Sequence, residues 1–222
     1  MGMHDYGRAQ MTPFRNRASA GRELASRLAG DVRNRDAIVL ALPRGGVPVG
    51  YEIARELEIP LDVVPVRKLG VPGREELAMG AVATSGAFFI DQWLIERLSI
   101  SQAQIEAVIE RERTELARRE REYRGERPKP DLRALTAICV DDGLATGASM
   151  RVAVAAVREG RPARIVVAVP VAAPSIAEAL RNVADDVVVA RLPANLRAVS
   201  AWYDDFSQTT DDEVRDLLAR AR

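Results

Sequence analysis

Ala137-Ile138-Cys139-Val140-Asp141-Asp142-Gly143-Leu144-Ala145-Thr146-Gly147-Ala148-Ser149 joins the end of an apolar strand, two adjacent carboxylates and a glycine-bounded turn. The run from Thr136 to Val140 is apolar and partly β-branched, with the length of a strand buried in a parallel sheet. Ligands of open α/β sheets gather beyond the carboxyl ends of strands, so Asp141 and Asp142 are expected to face a crevice rather than the core. Side by side they repel, and they stay ionised only against water, hydroxyl donors or a metal. A sugar diol with a nearby magnesium ion supplies the last two. Gly143 and Gly147 allow backbone conformations closed to other residues. Beyond them, 148–158 reads as a helix rich in alanine and valine, whose free first amides form an anion site. Thr146 and Ser149 add hydroxyl donors to it. The stretch reads as a seat for a phosphorylated sugar.

Outward from this stretch the chain alternates. A leading helix is expected near 18–28, with strands ending at Leu42, Val66, Val140, Pro170 and Ala190 and helices between most of them. One or two further strands are expected over 78–90, around Ser85-Gly86. Such alternation predicts an α/β fold: a doubly wound, mainly parallel sheet of about five strands flanked by helices, with a small accessory helical or hood region. The 222 residues read as a single domain over 1–222, with a helical insertion at about 91–130 and an aromatic and helical segment at about 194–222.

Two more stretches carry chemistry. Ile38 to Leu42 runs into Pro43-Arg44-Gly45-Gly46-Val47-Pro48, where paired glycines let amides turn toward an anion and Arg44 offers a forked donor. Further on, Asp62-Val63-Val64-Pro65-Val66 is a short strand. It is expected to break into a mobile loop, Arg67-Lys68-Leu69-Gly70-Val71-Pro72-Gly73-Arg74-Glu75-Glu76.

Together these residues resemble the type I phosphoribosyltransferases. The apolar strand, the acid pair and the Ala145-Thr146-Gly147 turn look like that family's motif for phosphoribosyl pyrophosphate, and the 43–46 turn looks like its pyrophosphate loop. The resemblance spans roughly 38–168. It implies the family's fold and a magnesium-dependent transfer of a 5-phosphoribosyl group from phosphoribosyl pyrophosphate to a nucleobase-like acceptor. It implies Asp141, Asp142 and Lys68 as catalytic residues, with both aspartates touching Mg2+ largely through substrate and water. Ala145, Thr146, Gly147, Ala148 and Ser149 would bind the 5′-phosphate, and Arg44, Gly45, Gly46, Arg67 and Lys68 the pyrophosphate. The loop after Val66 would close over the substrate and exclude water, with Glu75 or Glu76 placed to serve as a general acid or base. Family members acting on 6-oxopurines carry an acid where this chain has Ala145, which turns the expectation toward the adenine type. The alternative is a regulatory protein that binds phosphoribosyl pyrophosphate or a nucleotide on the same fold, since fold does not settle function.

Composition narrows the classes. Lysine plus arginine equals aspartate plus glutamate, 32 each, so a general nucleic-acid surface is not expected. Apolar runs are strand-sized and the beginning of the chain lacks a signal-peptide core, so the expectation is a cytoplasmic protein with no membrane partner. Cys139, the single cysteine, sits inside the apolar strand and reads as a packing residue. The single histidine, His4, lies in a short polar leader, which leaves Ser-His-Asp catalysis and histidine metal sites without support. A metal here needs oxygen ligands, which suits magnesium.

A capping box, Ser101-Gln102-Ala103-Gln104, opens a charged helix with Ile105, Val108, Ile109, Leu116 and Tyr123 on one stripe. That stripe either packs on the core or forms a contact in a homodimer. Near the end, Trp202, Tyr203 and Phe206 gather three of the chain's ten aromatics ahead of a helix opened by Thr210. Trp202 and Tyr203 either stack on the acceptor or pack that last helix.

Overall fold

A computed structural model describes residues 12–32 and 36–221, so His4 lies outside the described residues. The central sheet has five strands: β1 (Ala37–Ala41), β2 (Leu61–Val63), β6 (Thr136–Val140), β7 (Arg164–Val171) and β8 (Asp186–Arg191). Their order is β2-β1-β6-β7-β8 and every pairing is parallel. Alternate residues of the middle strands enter two different cores, which is why β6 reads as an unbroken apolar run. Val39, Ala41, Ile138 and Val140 pack with α1 (Arg17–Val32), α2 (Gly46–Leu57) and α7 (Asp211–Arg220). Ile38, Leu40, Ala137 and Cys139 pack with α5 (Ala148–Glu159) and α6 (Pro174–Leu180). Cys139 is fully buried, and burial pushes its thiol up to about 12.

The connection β1–α2–β2 leads to one side of β1, while β6–α5–β7 leads to the other side of β6. The chain therefore reverses direction between β1 and β6, and a crevice opens beyond their carboxyl ends.

The expectation for 62–76 is corrected in two places. The central strand stops at Val63, and Val66 starts a second sheet. In place of a mobile loop, β3 (Val66–Val71) and β4 (Arg74–Ala83) form an antiparallel hairpin extended by β5 (Phe88–Ile90). Pro72-Gly73 sits in its tight turn, with Gly73 at φ +74° in the left-handed region that glycine favours. Leu69, Val71, Met79 and Val82 give this sheet an apolar face. It is covered by α3 (Gln92–Leu98) and α4 (Gln102–Arg124) through Ile95, Ile105, Val108 and Leu116, so the charged helix turns its stripe onto the hairpin. Ser101 caps α4 with both capping-box hydrogen bonds. At its other end Arg124, 8% exposed, donates to the Val63 carbonyl and pairs with Asp62, tying α4 to the central sheet.

Candidate active site

Two turns meet in the crevice between β1 and β6. After β1 the Pro43–Arg44 peptide is cis, and α2 starts at Gly46. After β6 come the acid pair and a turn anchored by Leu144, whose N–H donates to the Val171 carbonyl at 2.9 Å. The glycines of the first turn allow close approach to the second. A Cβ on Gly46 would lie 2.6 Å from the Val140 carbonyl oxygen and 3.0 Å from Asp141 Cα, and one on Gly45 would collide with the Asp142 carboxylate. Their observed contribution is this packing of loop on loop.

Beyond the acid pair Gly147, at φ +74°, starts α5 with no side-chain cap of its own; Ala148 N–H donates to Thr146 Oγ1 at a long 3.5 Å. Ala145 and Thr146 are exposed, Ala148 and Ser149 half-buried. The structure thus places all five residues expected to hold a phosphate at one helix start.

A cleft of about 550 Å³ opens beside this start. One wall carries Leu42, Pro43, Asp141 and Ser149; the other carries Arg67, Lys68, Gly70 and Glu75 of the hairpin with Arg111, Glu112 and Arg119 of α4. Glu75 lines the cleft and Glu76 does not. Lys68 lies on the wall opposite Asp141. Arg67 Nε donates to Glu112 at 2.7 Å, and Glu112, only 6% exposed, also pairs with Arg111.

The two acids differ. Asp141 lines the cleft. Burial, then repulsion from Asp142, drives its carboxyl well above the ordinary range, against the pull of Lys68 and Arg17. Asp142 does not line the cleft; burial raises it also, and Arg17 draws it back down. Arg17 places Nε and Nη2 each 2.8 Å from Asp142 Oδ2, while its Nη1 donates to the Ser207 carbonyl at 2.7 Å. Its guanidinium lies over the Phe206 ring, 3.9 Å from the centroid. Tyr203, buried between Phe14 and Phe206, donates from Oη to the Asp142 carbonyl at 2.6 Å.

Three expected site residues lie off the lining of this cleft. Arg44 does not line the cleft; its guanidinium lies 3.7 Å from Asp211 on α7, which also accepts from the Tyr123 hydroxyl. Tyr203 has its ring in the core, and Trp202 is half-buried against that core, so neither presents a face to the cleft. Arg17 and Glu112 belong to the site without standing in any of its sequence motifs. Glu112 did leave a signal, because it occupies the buried phase of the stripe through Ile105, Val108 and Leu116. Arg17 left none, lying 125 positions from its partner.

Residues 8–200 match the model of the phosphoribosyl transferase domain family. Two relatives from strains of Mycobacterium tuberculosis, each named as a candidate phosphoribosyl transferase, are 41% identical over 211 residues, which is 95% of this chain. The chain spans about half the length of these curated relatives, 47%. The crystal structure of the TT1426 protein of Thermus thermophilus is 42% identical and superposes with a TM-score of 0.78, covering 94% of this chain and 99% of that one. The AQ2163 protein of Aquifex aeolicus shares the fold at 12% identity with a TM-score of 0.52, covering 91% of this chain and 84% of that one.

Proposed function

The chain belongs to the phosphoribosyl transferase domain family, and from that premise we propose that it transfers the 5-phosphoribosyl group of phosphoribosyl pyrophosphate to a nucleobase-like acceptor with release of pyrophosphate. The observation that carries this reading is the cleft at the β1–β6 reversal, where Asp141 and the start of α5 share one space with four cations, Arg67, Lys68, Arg111 and Arg119. The 5′-phosphate sits on the first amides of α5 with Thr146 and Ser149, where main chain and dipole favour an anion. Asp141 takes the ribose diol. Lys68 and Arg67 receive the pyrophosphate from the opposite wall, and Glu112 fixes the Arg67 guanidinium for it.

In the reaction a lone pair of the acceptor forms the bond to the anomeric carbon, the bond from that carbon to the pyrophosphate oxygen breaks with its electron pair leaving on pyrophosphate, and a proton carried by the attacking nitrogen is released to solvent. Positive charge builds on the ribose in between. Asp141 lies where it stabilises that charge, while the hairpin cations stabilise the leaving group. The β3–β4 hairpin and α4 form one wall of the cleft beside the reacting carbon.

The donor set suits magnesium. Oxygen ligands are present in Asp141 and Ser149, and no cluster of three or more His, Cys, Asp or Glu side chains that could cage a metal occurs among the described residues. Magnesium commonly takes one or two carboxylates together with substrate phosphates and water. When bound it would neutralise charge on the pyrophosphate.

The test is titration calorimetry with phosphoribosyl pyrophosphate and magnesium, followed by an acceptor screen for released pyrophosphate. Micromolar binding with release on one acceptor supports the transferase. Binding with no release for any acceptor replaces it with a regulatory role, and no binding overturns the assignment of the cleft.

A further inference from the structure

We infer that Arg17 is a positioning residue of this site, clamping Asp142 and, through the Asp142 main chain, fixing Asp141 for the sugar. The inference rests on the phosphoribosyl reading of the cleft and divides its acid pair into two roles. Asp142, its side chain 16% exposed, is held from three directions. Two nitrogens of Arg17 converge on Oδ2, Tyr203 holds the main-chain carbonyl, and Gly45 abuts the carboxylate so closely that a methyl group would not fit. In turn the Asp142 N–H donates to Asp141 Oδ1 at 2.9 Å, which fixes the carboxylate that does line the cleft.

Arg17 is itself fixed. Its side chain is 12% exposed, it rests on Phe206, and it spends its remaining amino group on the Ser207 carbonyl. The segment before it is pinned as well: Phe14 N–H donates to the Trp202 carbonyl, and Asp204 and Asp205 N–H groups donate to the carbonyls of Phe14 and Arg15. A guanidinium held from three sides is a preorganised clamp, and its fork is geometry that a lysine does not reproduce. The order of action is Arg17 on Asp142, Asp142 main chain on Asp141, and Asp141 on the ribose.

Two other arrangements would give different behaviour. If Arg17 were a competitor that Asp142 must shed before both acids grip the diol, removing it would leave sugar binding unchanged or tighter. If Arg17 met the substrate directly, its loss and that of Asp142 would act independently.

The experiment is a double-mutant cycle on the affinity for phosphoribosyl pyrophosphate with magnesium, read by calorimetry, with thermal melting of each unliganded variant alongside. It uses the wild type, Arg17→Ala, Asp142→Asn, the double variant and Arg17→Lys. The clamp predicts that each single change weakens binding about 10-fold and that the double variant is weakened no more than about 10-fold, because partners in one network are non-additive. It also predicts that Arg17→Lys, keeping the charge and losing the fork, recovers melting more fully than affinity. Unchanged or tighter binding in Arg17→Ala overturns the clamp, as does a double variant weakened by about the product of the singles, on the order of 100-fold. A wild type that binds no phosphoribosyl pyrophosphate overturns the phosphoribosyl reading first, a result separate from failure of the cycle.

Discussion

Gly46→Ala tests how tightly the first turn must sit on the second. The new Cβ would lie 2.6 Å from the Val140 carbonyl oxygen and 3.0 Å from Asp141 Cα. Neither neighbour can yield easily, since that carbonyl already accepts from Leu42 N–H at 2.8 Å and β6 is paired on both edges, to β1 and β7. Overpacking of this kind costs about 1–3 kcal/mol. Gly46 is the first residue of α2, where the gain from replacing a glycine inside a helix does not offset this, so a net loss of about 1–3 kcal/mol remains. For a chain of this size, that loss lowers Tm by about 2–12 °C. Gly30→Ala is the matched control, because it also lies in a helix and its Cβ would meet nothing within 4 Å. There only the helix gain remains, and Tm rises by about 1–4 °C. Both are measured by thermal circular dichroism at one protein concentration. A Gly46→Ala protein that melts at or above the wild type would refute the close-approach reasoning.

Other outcomes follow from burial and pairing. Asp141→Asn removes a carboxylate that burial penalises, so the unliganded protein should melt higher while calorimetric binding of phosphoribosyl pyrophosphate is lost; retained affinity would remove Asp141 from the site. Arg124→Ala leaves buried Asp62 unpaired, which costs about 3–5 kcal/mol for a broken buried pair, and urea unfolding with an unchanged m-value should show it. Cys139, with its thiol pushed up to about 12 and its side chain in the core, should resist alkylation at pH 8 in native buffer and react fully in denaturant; rapid native labelling would contradict its placement.

The central sheet was legible because its strands are buried on both faces and announce themselves as apolar runs ending in punctuated turns. Val140 to Asp142 marks such an end without any alignment. The hairpin was not legible as a hairpin. Pro72-Gly73 and the surrounding charges of Arg67, Lys68, Arg74 and Glu75 suggest a solvated loop, and the alternation of Leu69 and Val71 between them is too short to outweigh that signal. What decides the matter is the apolar face of α4, a tertiary partner beyond the reach of local pattern. Among the expected site residues, 145–149 gather at one helix start because a single turn carries them. Arg44 had an ambiguous address, since a forked cation beside a glycine pair suits an anion in the cleft and the Asp211 carboxylate alike. An aromatic such as Tyr203 suits stacking and packing alike, and its ring packs in the core with its hydroxyl on a main-chain carbonyl.

The clasp of 14–17 with 202–207 has a consequence for how the protein is made. Arg17 and Ser207 are 190 positions apart, and the acid pair they flank lies between them in the chain. During synthesis the central strands can pair while this clasp still lacks its second half. Only when residue 207 has cleared the ribosome can Asp142 acquire its full set of partners. Contacts of such high sequence separation form late and slowly. A nascent chain arrested short of that point would hold a nearly complete sheet around an unfinished centre, with Phe14 and the Arg17 side chain still seeking their aromatic bed.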